Sequence, residues 1–190
     1  MNMGAPLITL QEYKAYAGIT NPNSDTEINL LIPAISSLVK TYCKRTFVDY
    51  VYEPKSQVFN GAAGTLLLEE GPVTDVLSVE YSSDYGQTYV ELTEFVDWVA
   101  DQDYIVSVNP AGFPRALRGY RVTYNAGYAI IPLDLQLAVL DLVTYYIKND
   151  GAIHSTKAPG TNAVQIEYIT TTSLPAHIRR VLDLHRSDYA

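Results

Sequence analysis

Apolar and polar residues follow two different periods along this chain, and these periods predict helices near both ends and strands in the middle. Thr9 and Glu12 have the spacing of a capping box, in which each side chain accepts from the other residue's backbone N–H. The pair predicts a short helix over Leu10–Ala17. Gly18 is the residue type expected at its C-terminal end.

A longer helix is predicted from Asp25 to about Lys44. Ser24 and Glu27 repeat the capping-box spacing at its start. Its apolar residues recur at intervals of three and four, which places them on one face. These residues are Ile28, Leu31, Ile32, Ile35, Leu38, Val39 and Tyr42. Pro33 falls in the polar stripe of this helix. A kink at that position accommodates the hydrogen bond that proline, which has no backbone N–H, cannot make.

From about Val48 the period changes to two, which is typical of β-strands. Gly, Pro and Asn residues separate the expected strands, and SSDYGQ at 82–87 predicts a hairpin turn. The strands are expected at Val51–Phe59, Thr65–Glu69, Val76–Tyr81, Tyr89–Leu92, Phe95–Val99, Tyr104–Val108 and Gly119–Tyr124. Since helical segments flank this block, it is interpreted as an insertion, either an antiparallel meander or a small sandwich.

A second long helix is predicted over Pro132–Lys148, with proline at its favoured first position. Leu133 and Leu137 lie on one side of it, and Leu135 and Leu142 lie nearly opposite. A helix that is apolar on two sides requires cover on two sides. In a chain of 190 residues, one of these covers is expected to be a neighbouring subunit.

The C-terminal part is expected to be an arm that orders on assembly. Residues 149–162 are rich in Gly, Ser, Thr and Pro and are expected to form a loop, whereas Val164–Ile169 alternates like a strand. A short amphipathic helix is predicted over Leu174–Arg186. Ile178 lies on its apolar stripe, and Arg179, Arg180 and Arg186 form its basic side.

The predicted fold class is α+β: a helical core of two long helices and short N- and C-terminal helices, with an inserted antiparallel β meander or sandwich. Three parts are expected. Residues 1–49 and 119–150 form the helical core, residues 50–118 form an acidic β-rich insertion, and residues 151–190 form the arm.

The formal net charge of −8 is unevenly distributed. The stretch Ser56–Pro114 has no Lys or Arg, whereas ten of the 21 acidic residues lie in it. A protein that grips phosphate shows the opposite bias, so a solvated acidic surface is the preferred interpretation. The 16 tyrosines suit either protein interfaces or a core rich in half-buried aromatics.

Candidate chemistry is sparse. The strand, glycine and helix start within Tyr120–Val143 resemble a phosphate loop, but Gly127 is its single glycine and Pro132 has no N–H to donate. Cys43 is the only cysteine, so the chain cannot form an internal disulfide. No Cys or His lies at metal-ligand spacing from it. The three histidines, His154, His177 and His185, are dispersed.

We therefore expect no enzyme, no cofactor and no metal. No nucleophile elbow is present, and Asp101 and Asp103 are interpreted as exposed turn acids. Neither a signal peptide nor an apolar run of membrane-spanning length is visible. An alternative of a different class is a binding module whose acidic β insertion recognises a protein or a glycan, with Trp98 and exposed tyrosines as a stacking platform.

Four segments resemble the head-to-tail connector proteins of tailed bacteriophages, also called head-completion or adaptor proteins. They are LITLQEYKAYAGI, DTEINLLIPAISSLVKTYCKRTF, RVTYNAGYAIIPLDLQLAVLDLVTYY and LPAHIRRVLDLHR. Together they cover about half of the chain, and their order and spacing are more specific than any one of them. Pro33 and the long β-rich segment, about residues 50–118, depart from the family's pattern.

The resemblance implies a ring, typically of twelve subunits, on the portal protein of the DNA-filled head. The ring extends the DNA channel and docks the next neck or tail component, in the virion neck after assembly in the host cytoplasm. DNA passes without sequence-specific binding, since an acidic channel repels phosphate, and no membrane is involved. The subunit interface or lumen is expected at Asp134, Asp141, Leu137, Tyr145 and Tyr146. Contacts with the portal or a neighbour are expected at Ile178, Arg179, Arg180 and Arg186.

Overall fold

The computed structural model describes residues 4–61, 64–148 and 174–187, together with the backbone of residues 153–157 and 164–168. These residues divide into two compact units. One unit comprises the chain up to Lys44 and from Pro132 to Arg186, and the other comprises Arg45–Ile131 and the residues after Arg186. We call them the helical unit and the β unit.

The helical unit begins with helix α1, Leu10–Ala17, which is capped as the sequence predicts. Thr9 Oγ1 accepts from the Glu12 N–H at 3.2 Å, and Glu12 Oε2 accepts from the Thr9 N–H at 2.6 Å. Gly18 ends the helix in the left-handed conformation, with φ +68°. The first capping box is therefore confirmed.

Helix α2, Asp25–Cys43, continues through Pro33 and ends one residue before the predicted position. Its N-cap Ser24 makes no side-chain capping hydrogen bond, so the second predicted capping box is wrong. The backbone of Ser24 has φ −101° and ψ 5°. These angles lie outside the extended region from which an N-cap side chain normally reaches the first turn.

The other two helices described in the helical unit are α3, Leu133–Lys148, and α4, Ala176–Leu184. α2 packs against α1, α3 and α4, and α3 also packs against α1 and α4. The most deeply buried residues of this core come from all four helices or from the segments before them. They include Ile8, Tyr13, Ile28, Ile32, Val39, Cys43, Leu135, Val139, Leu142, Val143, Ile178 and Leu182.

The described residues of the β unit form seven strands, all paired antiparallel. They are β1 Lys55–Phe59, β2 Thr65–Leu67, β3 Val73–Tyr81, β4 Val90–Glu91, β5 Trp98–Asp101, β6 Tyr104–Ser107 and β7 Tyr120–Ala126. One sheet has the order β1-β7-β3-β4 and the other has the order β2-β6-β5. Since the last strand, β7, pairs with both β1 and β3, the first sheet is not a meander.

Alternating residues of β7 anchor the core of the β unit. Tyr120, Val122 and Tyr124 are at most 1% exposed, and they belong to one cluster with Val79 and Ile105. The intervening residues of β7 are half-buried. This alternation is the pattern of a sheet with one face on a core.

Two further strands, β8 Ile153–Lys157 and β9 Val164–Tyr168, pair as an antiparallel hairpin. The prediction of a loop throughout residues 149–162 is therefore wrong at β8. The remaining residues of 149–173, and residues 188–190, lie outside the described residues, so much of the predicted C-terminal arm also lies outside them.

The predicted helical core of two long helices with a β insertion is wrong. The four helices of the described chain have only 8 to 19 residues, and two antiparallel sheets enclose a hydrophobic core of their own. A block with an independent core is a folding unit in its own right. The fold is mixed α+β and comprises a helical unit and a β unit.

Candidate assembly surfaces

Helix α3 has an inner and an outer apolar side. Leu135 and Val139 on the inner side are fully buried. On the outer side, Leu133 is 78% exposed and Leu137 is 49% exposed. These two leucines lie one turn apart on the same face. The outer leucines therefore form an apolar surface that the described residues leave uncovered.

The two acids predicted at a lumen or interface both link helices within the helical unit. Asp134 Oδ2 lies 2.8 Å from His185 Nε2 at the end of α4, and Asp141 Oδ1 accepts from the Tyr16 hydroxyl of α1 at 2.6 Å. The hydrogen bond from His185 lowers the pKa of Asp134 against the opposing effect of burial. The hydrogen bond to Asp141 raises the pKa of Tyr16.

Neither acid is removed from solvent, since the Asp134 side chain is 51% exposed and Asp141 is half-buried. Each therefore has a bonding role in the protomer and an accessible edge. A role for these acids at a lumen or subunit boundary stays a prediction.

Tyr145 and Tyr146, near the C-terminal end of α3, are half-buried. Their rings contact edge to face, with centroids 5.9 Å apart. The preceding residue, Thr144, shares a hydrogen bond of 3.3 Å with the Tyr13 hydroxyl of α1. This end of α3 is thus partly occupied by the helical unit itself, and an interface role for the two tyrosines stays a prediction.

Helix α4 separates its apolar and basic residues sharply. Ile178 and Leu182 are buried, whereas Arg179, Arg180 and Arg186 are exposed. Because Ile178 packs inside the helical unit, we restrict the proposed contact surface of α4 to its arginines and to Leu184, which is 77% exposed.

The α4 helix is also fastened to α2. The Tyr42 hydroxyl donates to Asp183 Oδ1 at 2.5 Å, which raises the pKa of Tyr42. The tyrosine partners of Asp141 and Asp183 were not identified from the sequence. Each lies more than 120 residues from its acid along the chain, so no local spacing connects them.

The β unit does not provide the predicted stacking platform at Trp98. This side chain is only 4% exposed, and its indole N–H donates to the Leu92 carbonyl at 3.3 Å. Trp98 is a core residue of the β unit. The alternative of a glycan-binding module therefore loses its central residue.

A cleft of about 270 Å³ in the β unit was not predicted either. The residues that line it include Tyr81, Phe113, Tyr120 and Asp97. Tyr120 contacts both other rings, with centroid distances of 5.2 Å to Tyr81 and 4.9 Å to Phe113. Burial raises the pKa of Tyr120 to about 12. The alternation of β7 indicates that Tyr120 is inward-facing, but not which loop residues meet it.

The loop after β7 uses its N–H groups for structure. The Gly127 N–H donates to the Pro72 carbonyl at 2.9 Å, and the Tyr128 N–H donates to the Phe47 carbonyl at 2.6 Å. These donors are occupied, so they are not available to a phosphate group. Within the described ranges, no group of three or more His, Cys, Asp or Glu residues is arranged to hold a metal ion. No helix in that part of the chain is long and apolar enough to cross a membrane.

Comparison with known families gives one match over nearly the whole chain. The family model of the head completion protein matches residues 6–187. No significantly similar sequence is found among curated proteins. The match confirms the resemblance to head-to-tail connector proteins inferred from the four sequence segments.

Solved structures with a similar fold include chains of gene transfer agent particles. A chain in the neck of an empty particle, computed with C6 symmetry, has a TM-score of 0.62 and 14% identity, covering 97% of this chain and 91% of that one. A chain in the virion of the native particle has a TM-score of 0.61, also at 14% identity and with the same coverage. A chain in the native neck, computed with C12 symmetry, has a TM-score of 0.59 and 14% identity, covering 95% and 89%. At this identity the likeness establishes a shared fold.

Proposed function

This chain belongs to the head completion protein family, and from that premise we propose that it is a structural virion protein that forms a ring on the portal. The ring extends the DNA channel and docks the next neck or tail component. The family match over residues 6–187 is the observation that supports this function most strongly. The likeness to chains in particle necks, one of them computed with C12 symmetry, supports a ring of twelve copies.

The outer surface of α3 is the proposed place of contact between neighbouring copies. Leu133 and Leu137 are exposed on one face, and covering them would remove apolar surface from water. Asp134 lies on the same end of the helix and would meet the boundary or the lumen. The exposed arginines of α4 are proposed to contact the portal or the neighbouring copy.

DNA would pass through the ring without sequence-specific binding. The net charge of −8 disfavours a grip on phosphate, because like charges repel. Assembly is proposed in the host cytoplasm, and the finished ring belongs to the virion neck.

A phage that lacks this protein tests the proposed role in an infected host. We expect DNA-containing heads that carry the portal but no attached tail, and restoration of tails when purified protein is added. Normal tailed particles in its absence would contradict the proposed role.

A further inference from the structure

The cleft of the β unit has the composition of a site for a positively charged side chain. The residues that line it include Asp97 and the half-buried Tyr81, and behind them the core residues Phe113 and Tyr120, which are 4% and 1% exposed. Aromatic faces attract cations, and a guanidinium also matches a carboxylate geometrically. At about 270 Å³, the cleft is slightly smaller than the roughly 300–1,000 Å³ of typical small-molecule sites, which suits a single side chain.

The carboxylate of Asp97 is only partly used within the protomer. Its Oδ2 atom accepts from the Thr93 N–H at 2.8 Å, and Oδ1 has no hydrogen-bond partner among the residues that the structure describes. No Lys or Arg occurs between Ser56 and Pro114, and none is among the residues that line the cleft. Arg115 follows directly in the sequence, but it is exposed and does not line the cleft.

The matching group lies on the outer face of α4. Arg180 is exposed and makes no ion pair or side-chain hydrogen bond within the described ranges. Leu184 is one turn further along the same face and is 77% exposed. Val96 lines the cleft and is 64% exposed, so it offers an apolar surface to such a leucine.

We propose that the cleft binds Arg180 of a second copy of this chain, with Leu184 of that copy packing against the rim at Val96. The guanidinium would lie against the half-buried Tyr81 ring and donate to Asp97 Oδ1. The contact joins two different surfaces of the same chain, and such head-to-tail contacts generate rings when the rotation closes. This contact rests on the proposed ring and adds to the α3 surface a second, charge-specific interface.

Charge reversal tests the contact. In Asp97→Arg and in Arg180→Asp, ring formation by the full chain, measured by sedimentation with the portal added if rings require it, should need at least tenfold more protein. The double variant D97R/R180D should restore most of the association, because the pair is re-formed in the opposite sense. Asp101→Arg is the matched control, since it makes the same charge change at an exposed acid of the β unit that does not line the cleft. It should assemble like the parent.

The outcomes separate this contact from the ring itself. Rings that form unchanged in both single variants would overturn the contact and leave the proposed function standing. Loss of rings in both single variants without recovery in the double variant would also refute a direct pairing. A parent chain that forms no ring under any condition, with or without portal, would reject the proposed function and this contact together. Trp98 fluorescence, which reports on the core of the β unit, checks that each variant is folded.

Discussion

The carbonyl oxygen of Phe47 occupies the space that a side chain at Gly127 would require. A Cβ atom built on Gly127 would lie 2.3 Å from that oxygen, and the residue has φ +110°. The neighbouring Tyr128 N–H donates to the same oxygen at 2.6 Å. The glycine that suggested a phosphate loop in the sequence is therefore required for close backbone packing at the end of β7.

We predict that Gly127→Ala destabilises the β unit by roughly 2–4 kcal/mol, because backbone strain at positive φ adds to the displacement of Phe47. Urea unfolding followed by Trp98 fluorescence measures the change. Gly64→Ala is the control, since a Cβ there meets nothing within 4 Å; it should alter stability by less than about 0.5 kcal/mol. Equal effects of the two substitutions would contradict the assigned role.

The two serine/threonine N-caps of the helical unit should differ in how much they contribute to the free energy of unfolding. Thr9→Ala removes a formed capping box and is expected to cost about 1 kcal/mol. Ser24→Ala removes no capping hydrogen bond and should change stability by less than about 0.5 kcal/mol. Thermal and urea unfolding followed by far-UV circular dichroism compare the two variants. A larger loss for Ser24→Ala would show that the capping geometry is misassigned.

Asp134 should make the stability of the helical unit depend on pH in the acid range. Its pKa is lowered in the folded state, mainly by the hydrogen bond from His185. The contribution is therefore present above the unfolded-state pKa of about 3.9 and is lost as pH falls through the lower folded-state value. The stability difference between the parent and Asp134→Asn should shrink when the pH is lowered from 6 toward 3.

A double-mutant cycle tests whether His185 is the group that lowers the pKa of Asp134. In a His185→Ala background, Asp134→Asn should lose most of this pH-dependent difference, because the main cause of the pKa shift is absent. Urea unfolding at several pH values supplies the data. An unchanged pH dependence in that background would show that another group lowers the pKa of Asp134.

Substitution of an exposed leucine of α3 should weaken assembly without unfolding the protomer. Leu137→Asp changes a half-exposed residue of the α3 surface, so the protomer should remain folded while ring formation is weakened at least tenfold, an effect of about 1.4 kcal/mol or more. Leu30→Asp is the matched control, because Leu30 is a 72% exposed residue of α2 outside the proposed surface. Sedimentation across a concentration series provides the measurement. Equal weakening by both variants would argue against α3 as the interface.

Local signals in the sequence located most elements to within a few residues. Thr9, Glu12 and Gly18 specify both ends of α1 through backbone hydrogen bonds that depend only on near neighbours. Period-two alternation likewise located β6 and β7. Ser24 has the right spacing to Glu27, but its backbone angles direct the side chain elsewhere, and spacing alone does not encode those angles.

Long-range relationships were beyond the reach of pattern analysis. The pairing of β7 between β1 and β3 joins strands separated by some 40 to 60 residues, and no local feature specifies it. The same limitation applies to Tyr16 with Asp141 and to the cleft around Tyr120. The prediction of a helical core failed for this reason: the strands were found, but the independent core that they build together was not.

Electron microscopy of the purified chain mixed with the purified portal protein of the same phage tests the proposed ring on the portal directly. We expect a second ring stacked coaxially on the portal, with twelve copies by mass measurement and a continuous central channel. Folded protein in excess that leaves the portal bare, or that binds it only as isolated monomers without contacts between copies, would refute the proposed ring.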